Sequence, residues 1–183
     1  NDPEMLAELA GRMTLTGIAM GVAGRTAPLS GTEHLLSHLL DMSATANGRP
    51  LAFHGAQVGV AAVLAATIWH DTLGHLDPAT LLDPRPATLD DTVVERRVRN
   101  AFGPLDPTGQ MADECWRDVS AKVARWRDRR PQVEAFVADW PRHRIALQAL
   151  VAPPERLAVA LMQAGAPATI AQLQHRAAPD VVR

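Results

Sequence analysis

Tyrosine is absent from the sequence, all aromatic residues together make up only 4% of it, and there is a single cysteine, Cys115, and a single lysine, Lys122. Each shortage closes something off. One thiol cannot form an internal bridge, so this is no disulfide scaffold, and a reducing, cytoplasmic setting is expected. One lysine among 18 basic residues leaves Schiff-base chemistry and lysine grips on phosphate almost without a candidate. Neither sign of charge dominates. A formal net charge of -2 and a pI near 6.4 give no bulk attraction to nucleic acid or to an anionic membrane, and neither is expected as a partner. No strand-like alternation, dinucleotide-binding glycine fingerprint or internal repeat is found. No targeting signal is expected ahead of the first helix. The apolar run Ala52–Trp69 is interrupted by His54 and Gln57 and lacks a basic flank, so it reads as a core helix rather than a membrane span.

What is present is helical. With 183 residues, 47% of them hydrophobic, a chain can bury roughly 70% of its unfolded surface and needs no metal merely to hold a core. Strong helix formers (Ala, Leu, Arg, Met) fill the stretches between 14 prolines, which predicts an all-α domain over 1–176 with a frayed tail over 177–183. Asp2-Pro3 reads as an N-cap and first helical position, opening a helix to about Val22 whose Gly17 and Gly21 imply close packing on a neighbour. Ser30 followed by Glu33 has capping-box spacing and opens a second helix to Met42. After the turn signal Asn47-Gly48-Arg49-Pro50, Leu51 to His70 is apolar nearly all round and is expected to be central. Further helices are expected near 78–83, 89–101, 107–129, 131–149, 154–164 and 167–175, several of them opened by Asp-Pro.

The second helix carries the chemistry. At 100° per residue, Glu33, His34, Ser37, His38 and Asp41 fall in one stripe of about 140°, and leucines and Met42 fill the rest. A solvent-facing stripe is one reading. Against it, the stripe has no Lys or Arg, and its two histidines stand at i, i+4, the spacing that aims two imidazoles at one point. The 11 residues from Ser43 to Phe53 can return the chain along the rise of about 12 Å from Met42 to His34, so His54 can sit beside His34. Two histidines suit zinc or iron but do not complete a catalytic site, which has three protein ligands. Glu33 could orient His34 or cap its helix.

These motifs are specific. Ser30-Gly31-Thr32-Glu33-His34-Leu35-Leu36-Ser37-His38 with Asp41-Met42, then Leu51-Ala52-Phe53-His54-Gly55-Ala56-Gln57-Val58-Gly59-Val60, resembles the sn-glycerol-1-phosphate dehydrogenase branch of the iron-containing alcohol dehydrogenase and dehydroquinate synthase-like superfamily. Leu15 to Met20 and Ala164-Gly165-Ala166-Pro167 resemble the same branch. The resemblance implies the C-terminal helical domain of that fold, lacking the Rossmann-like nucleotide-binding half. It implies zinc (or iron) held by His34 and His54, with His38 on the substrate side as a proton relay or hydroxyl contact. The family's third ligand, an Asp, falls before the counterpart of Asn1. Ala56 departs from the Glu that some relatives carry after His-Gly.

The expected function is the metal-binding half of an NAD(P)-dependent dehydrogenase acting on glycerol 1-phosphate, dihydroxyacetone phosphate or a similar polyol phosphate, inactive as an isolated domain. NAD or NADP would be bound mainly by the nucleotide half, and a homo-oligomer is compatible with the pattern. The alternatives are a sugar-phosphate cyclase or other polyol dehydrogenase of the superfamily, and a non-catalytic helical interaction module. The remaining histidines, His70, His75, His143 and His175, have no partner at ligand spacing.

Overall fold

The computed structural model describes residues 2–24, 26, 30–82 and 90–176. All secondary structure among these residues is helical, and no strand occurs among them. The first three helices are α1 (Pro3–Ala23), α2 (Thr32–Ala46) and α3 (His54–His75). A short turn α4 (Ala79–Leu82) follows, then α5 (Asp91–Phe102), α6 (Gln110–Asp128), α7 (Arg130–Ala138), α8 (Trp140–Leu150), α9 (Pro154–Gln163) and α10 (Ile170–Arg176).

Aspartates cap three of the helix starts among the described residues. Asp2 accepts from the Glu4 N–H at 3.0 Å, Asp77 from Ala79 N–H at 3.0 Å and Asp90 from Thr92 N–H at 2.8 Å, each satisfying a donor that the helix leaves free. Asp83, at another expected start, lies outside the described residues, as does the expected tail. Asp106 works differently: it organises the turn before α6, while the N-cap itself is Gly109, whose φ of 79° suits glycine. The helix expected over 131–149 is two helices that meet at Asp139. Pro141 stands in the first turn of α8, where its missing N–H costs nothing but could not have continued α7.

α3 is the hub, packing against α2, α8, α9 and α10, and it runs five residues beyond the expected His70. It buries Gln57, Val60, Ala61, Ala65, Ala66 and Leu73, and no residue from 57 to 66 is exposed, so this stretch is covered all round; exposure begins at Thr67 and includes Ile68 and Trp69. Small residues let neighbours come close. A Cβ on Gly59 would stand 2.9 Å from Leu161 Cδ2 of α9. A second cluster pairs α5 with α6 around Val98, Met111 and Ala112. Arg130 then ties α7 to α4 by donating to the Leu81 and Leu82 carbonyls, with its guanidinium 5.1 Å from the centre of the Trp126 ring.

α1 contradicts its expectation. Nothing lies within 4 Å of where a Cβ would stand on Gly17 or Gly21, and Met5, Leu6, Leu9, Met13, Leu15, Ile18 and Val22 are all more than half exposed. The neighbour that these glycines imply is not found among the described residues. Trp140–Gln163 is apolar and long enough by composition to cross a membrane. The break at 151–153 leaves helices of 11 and 10 residues, each far short of the ~20 that a span needs.

Candidate metal centre

The start of α2 is a glutamate-centred cap. Gly31, not Ser30, is the N-cap, and no side chain caps the helix in the forward direction. The Glu33 carboxylate folds back and accepts from Gly31 N–H at 2.9 Å and from His34 Nδ1–H at 2.9 Å. Both roles that the sequence leaves open for Glu33 are therefore filled at once. A side chain on Gly31 would crowd this arrangement, with its Cβ 2.8 Å from Glu33 Oε2. Partial burial works against ionisation of Glu33, but the hydrogen bonds from His34 and Gly31 outweigh it and hold the carboxyl below the usual range. Glu33 is thus an acceptor at neutral pH. With Nδ1 donating to Glu33, the neutral form of His34 carries its lone pair on Nε2, the arrangement that orients a ligating histidine.

His54 opens α3 and faces His34 with ring centroids 5.7 Å apart and ring planes at 55°. A tetrahedral ion bonded at ~2.1 Å to one nitrogen of each ring would put the centroids about 5 Å apart, so the pair fits two ligand positions with only a small inward movement. A complete set is not formed. Among the described residues no group of three His, Cys, Asp or Glu side chains is arranged to hold a metal.

His38 is exposed and lines a cavity of about 470 Å³ bounded by α2 and α6. Asp41 lines it too. Leu35, Leu36, Leu39, Met42 and Phe102 form its apolar wall, and Glu114, Cys115, Asp118 and Lys122 line the α6 side. Burial first, then the charges of Glu114 and Asp118, push the Cys115 thiol up, so it is a poor nucleophile at neutral pH. Of the other histidines, His143 stacks on Phe136 at 4.4 Å and His75 bonds Asp71.

A buried network that pattern reading passed over lies one turn from the imidazole pair. Gln57 Nε2 donates to the Ser37 carbonyl at 2.9 Å, to Ser37 Oγ at 2.9 Å and to Asp41 Oδ1 at 2.8 Å. Ser37 is fully buried and Gln57 is 4% exposed. The signal was a glutamine inside an otherwise apolar run, three residues after His54. The polar stripe of α2 therefore turns Ser37 inward against α3, while Leu35 is 54% exposed.

No family profile and no solved structure matches the chain. Curated relatives do. A glycerol-1-phosphate dehydrogenase (NAD(P)+) of Bacillus licheniformis is 31% identical over 112 residues, 61% of this chain and 25% of that protein. The enzyme of the same name from Thermofilum pendens is 36% identical over 114 residues, covering 56% of this chain and 32% of its own length. That of Halorubrum lacusprofundi is 55% identical over 49 residues, 27% of this chain and 13% of the relative. The chain thus matches a third or less of each of these relatives. Over part of its length, the chain is homologous to the glycerol-1-phosphate dehydrogenases.

Proposed function

We propose that this chain is the metal- and substrate-side helical part of an NAD(P)-dependent dehydrogenase acting on glycerol 1-phosphate, dihydroxyacetone phosphate or a similar polyol phosphate. The observation that carries the reading is the facing pair His34 and His54, with His34 keyed by Glu33 so that one nitrogen remains free. Homology to enzymes named for that reaction supports the same assignment.

His34 and His54 would hold the ion, zinc or iron by the chemistry of two imidazoles and an anionic third ligand from outside the described residues. A bound divalent ion supplies Lewis acidity, which favours the alkoxide of a substrate hydroxyl. Glu33 keeps the His34 tautomer fixed and adds negative charge beside it, which raises ligand basicity. His38, one turn along α2 and exposed, would be the candidate to relay the hydroxyl proton; the cavity it lines is bounded by α2 and α6 and includes neither His34 nor His54. The nicotinamide site lies outside the described residues.

The test is cobalt or zinc titration of the 183-residue chain and of His34→Ala and His54→Ala. Weak binding by the parent chain, lost in both variants, is the expected result. Equal binding by all three proteins ends the metal assignment. Without a third ligand the chain alone should show no NAD(P)-linked turnover of glycerol 1-phosphate. A second reading, a non-catalytic helical interaction module, is favoured by one feature, the exposed large apolar residues of α1. It predicts that metal binding is absent from the start.

A further inference from the structure

We infer that Gln57 is a positioning residue: it locks the register of α3 on α2 and thereby sets the separation of the His34 and His54 imidazoles. The inference rests on the metal reading only for its consequence, since the geometry stands without an ion.

The two pairs run in step. His34 and Ser37 are three residues apart on α2, and His54 and Gln57 are three apart on α3, so the amide bond sits one helical turn from the ring contact. The direction of the amide is fixed by its partners. The Ser37 carbonyl and the Asp41 carboxylate can only accept, so the NH2 end of Gln57 must face them. The bond to the Ser37 carbonyl matters most, because it joins a side chain of one helix to the backbone of the other. Apolar contacts between α2 and α3 tolerate a slide of a fraction of a turn. A buried hydrogen bond does not, because the unpaired amide or carbonyl would then carry its full desolvation penalty.

The apolar surroundings sharpen the argument. Val60 and Ala61, a turn further along α3, are 1% and 0% exposed, so the Gln57 amide makes its bonds to α2 beside a buried apolar contact. Those bonds can be kept in only one register of α3 on α2, which fixes the geometry at the ends of the two helices where both imidazoles are attached.

The experiment uses the whole 183-residue chain with Gln57→Met, which keeps side-chain length and removes the donor. The first readout is metal-free: NMR cross-relaxation between the imidazole protons of His34 and His54. The ring contact should be present in the parent chain and strongly weakened in Gln57→Met while helix content stays the same. A ring contact of parent strength in the folded variant overturns the proposal. If Gln57→Met does not fold, Gln57→Asn takes its place: it keeps the donor but is one methylene shorter, so its amide reaches the Ser37 carbonyl only if α3 shifts on α2. It is expected to change the cross-peak measurably, and an unchanged cross-peak overturns the proposal.

The second readout is cobalt affinity, expected to fall about 10- to 100-fold in Gln57→Met, the usual cost of losing a group that orients a ligand. A parent chain that binds no cobalt, or His34→Ala that binds it equally well, defeats the metal reading. In that case the ring contact still decides the role of Gln57.

Discussion

Asp106 shows how one side chain can organise a turn. Its Oδ1 accepts from Thr108 N–H at 2.7 Å and Thr108 Oγ1–H at 2.6 Å, and its Oδ2 accepts from Met111 N–H at 2.8 Å, inside the first turn of α6. The Thr108 hydroxyl chiefly, then the Met111 amide, hold its carboxyl below the usual range. A group depressed in the folded state adds stability that is whole above its unfolded value of about 3.9 and fades as pH falls through the folded value. Asp106→Asn can no longer accept on both sides of its terminal group, so its melting midpoint should lie below that of the parent at pH 7. The gap should narrow below about pH 4; a gap independent of pH would refute the charge argument. At this scale the sequence was partly legible. Asp-Pro marked the turn at Asp106, and the spacing of His34 and His54 made their adjacency reachable. The double role of Glu33 and the burial of Ser37 were not legible, because both depend on which face of α2 meets α3. A 100° wheel separates two faces without saying which is inside, and the leucine face, normally the buried one, here carries exposed Leu35 and lines the cavity.

Helix existence followed from proline punctuation, and boundaries followed less well. The expected single helix over 131–149 breaks at Asp139, because a proline at the second position of a helix reads the same in sequence as a proline at an end. α3 outran its expected end since Asp71, Thr72 and Gly74 give no firm stop before Asp77-Pro78. What holds α3 against α9 is close approach at Gly59, where a Cβ would meet Leu161 Cδ2 at 2.9 Å. The obstacle is the end of a half-buried side chain rather than backbone. Gly59→Ala should therefore be nearly neutral in urea unfolding, because a shifted Leu161 is offset by the ~1 kcal/mol helix gain of alanine. Gly59→Leu has no such escape and should cost about 1–3 kcal/mol by overpacking. Equal stability of parent and leucine variant would show that α3 and α9 are not held at this distance.

Across the whole molecule, burial is uneven. The hub around α3 and the α5–α6 pair hold the core, whereas α1 has no buried residue and makes no extensive contact with another element among the described residues. Its glycines and its row of Met, Leu and Ile have the composition of an interface, and seven large apolar residues exposed along one helix exceed what a monomer ordinarily leaves to water. Gly17 and Gly21 are expected to pack closely on a neighbour and do not among the described residues, because glycine spacing does not say whether a contact is made within the chain. A helix with so little contact contributes little to the stability of the rest, and this separates two outcomes. Replacing both Leu9 and Met13 by glutamate should leave the cooperative unfolding of the hub within about 0.5 kcal/mol of the parent, as for surface substitutions elsewhere. The same change should reduce self-association in sedimentation velocity, since it interrupts the apolar row with charge. Leu73→Ala, at a residue 2% exposed in α3, is the control and should cost about 2–5 kcal/mol. A comparable loss in the glutamate variant would mean that α1 packs on the hub in solution, and the unpartnered description of α1 would then be wrong.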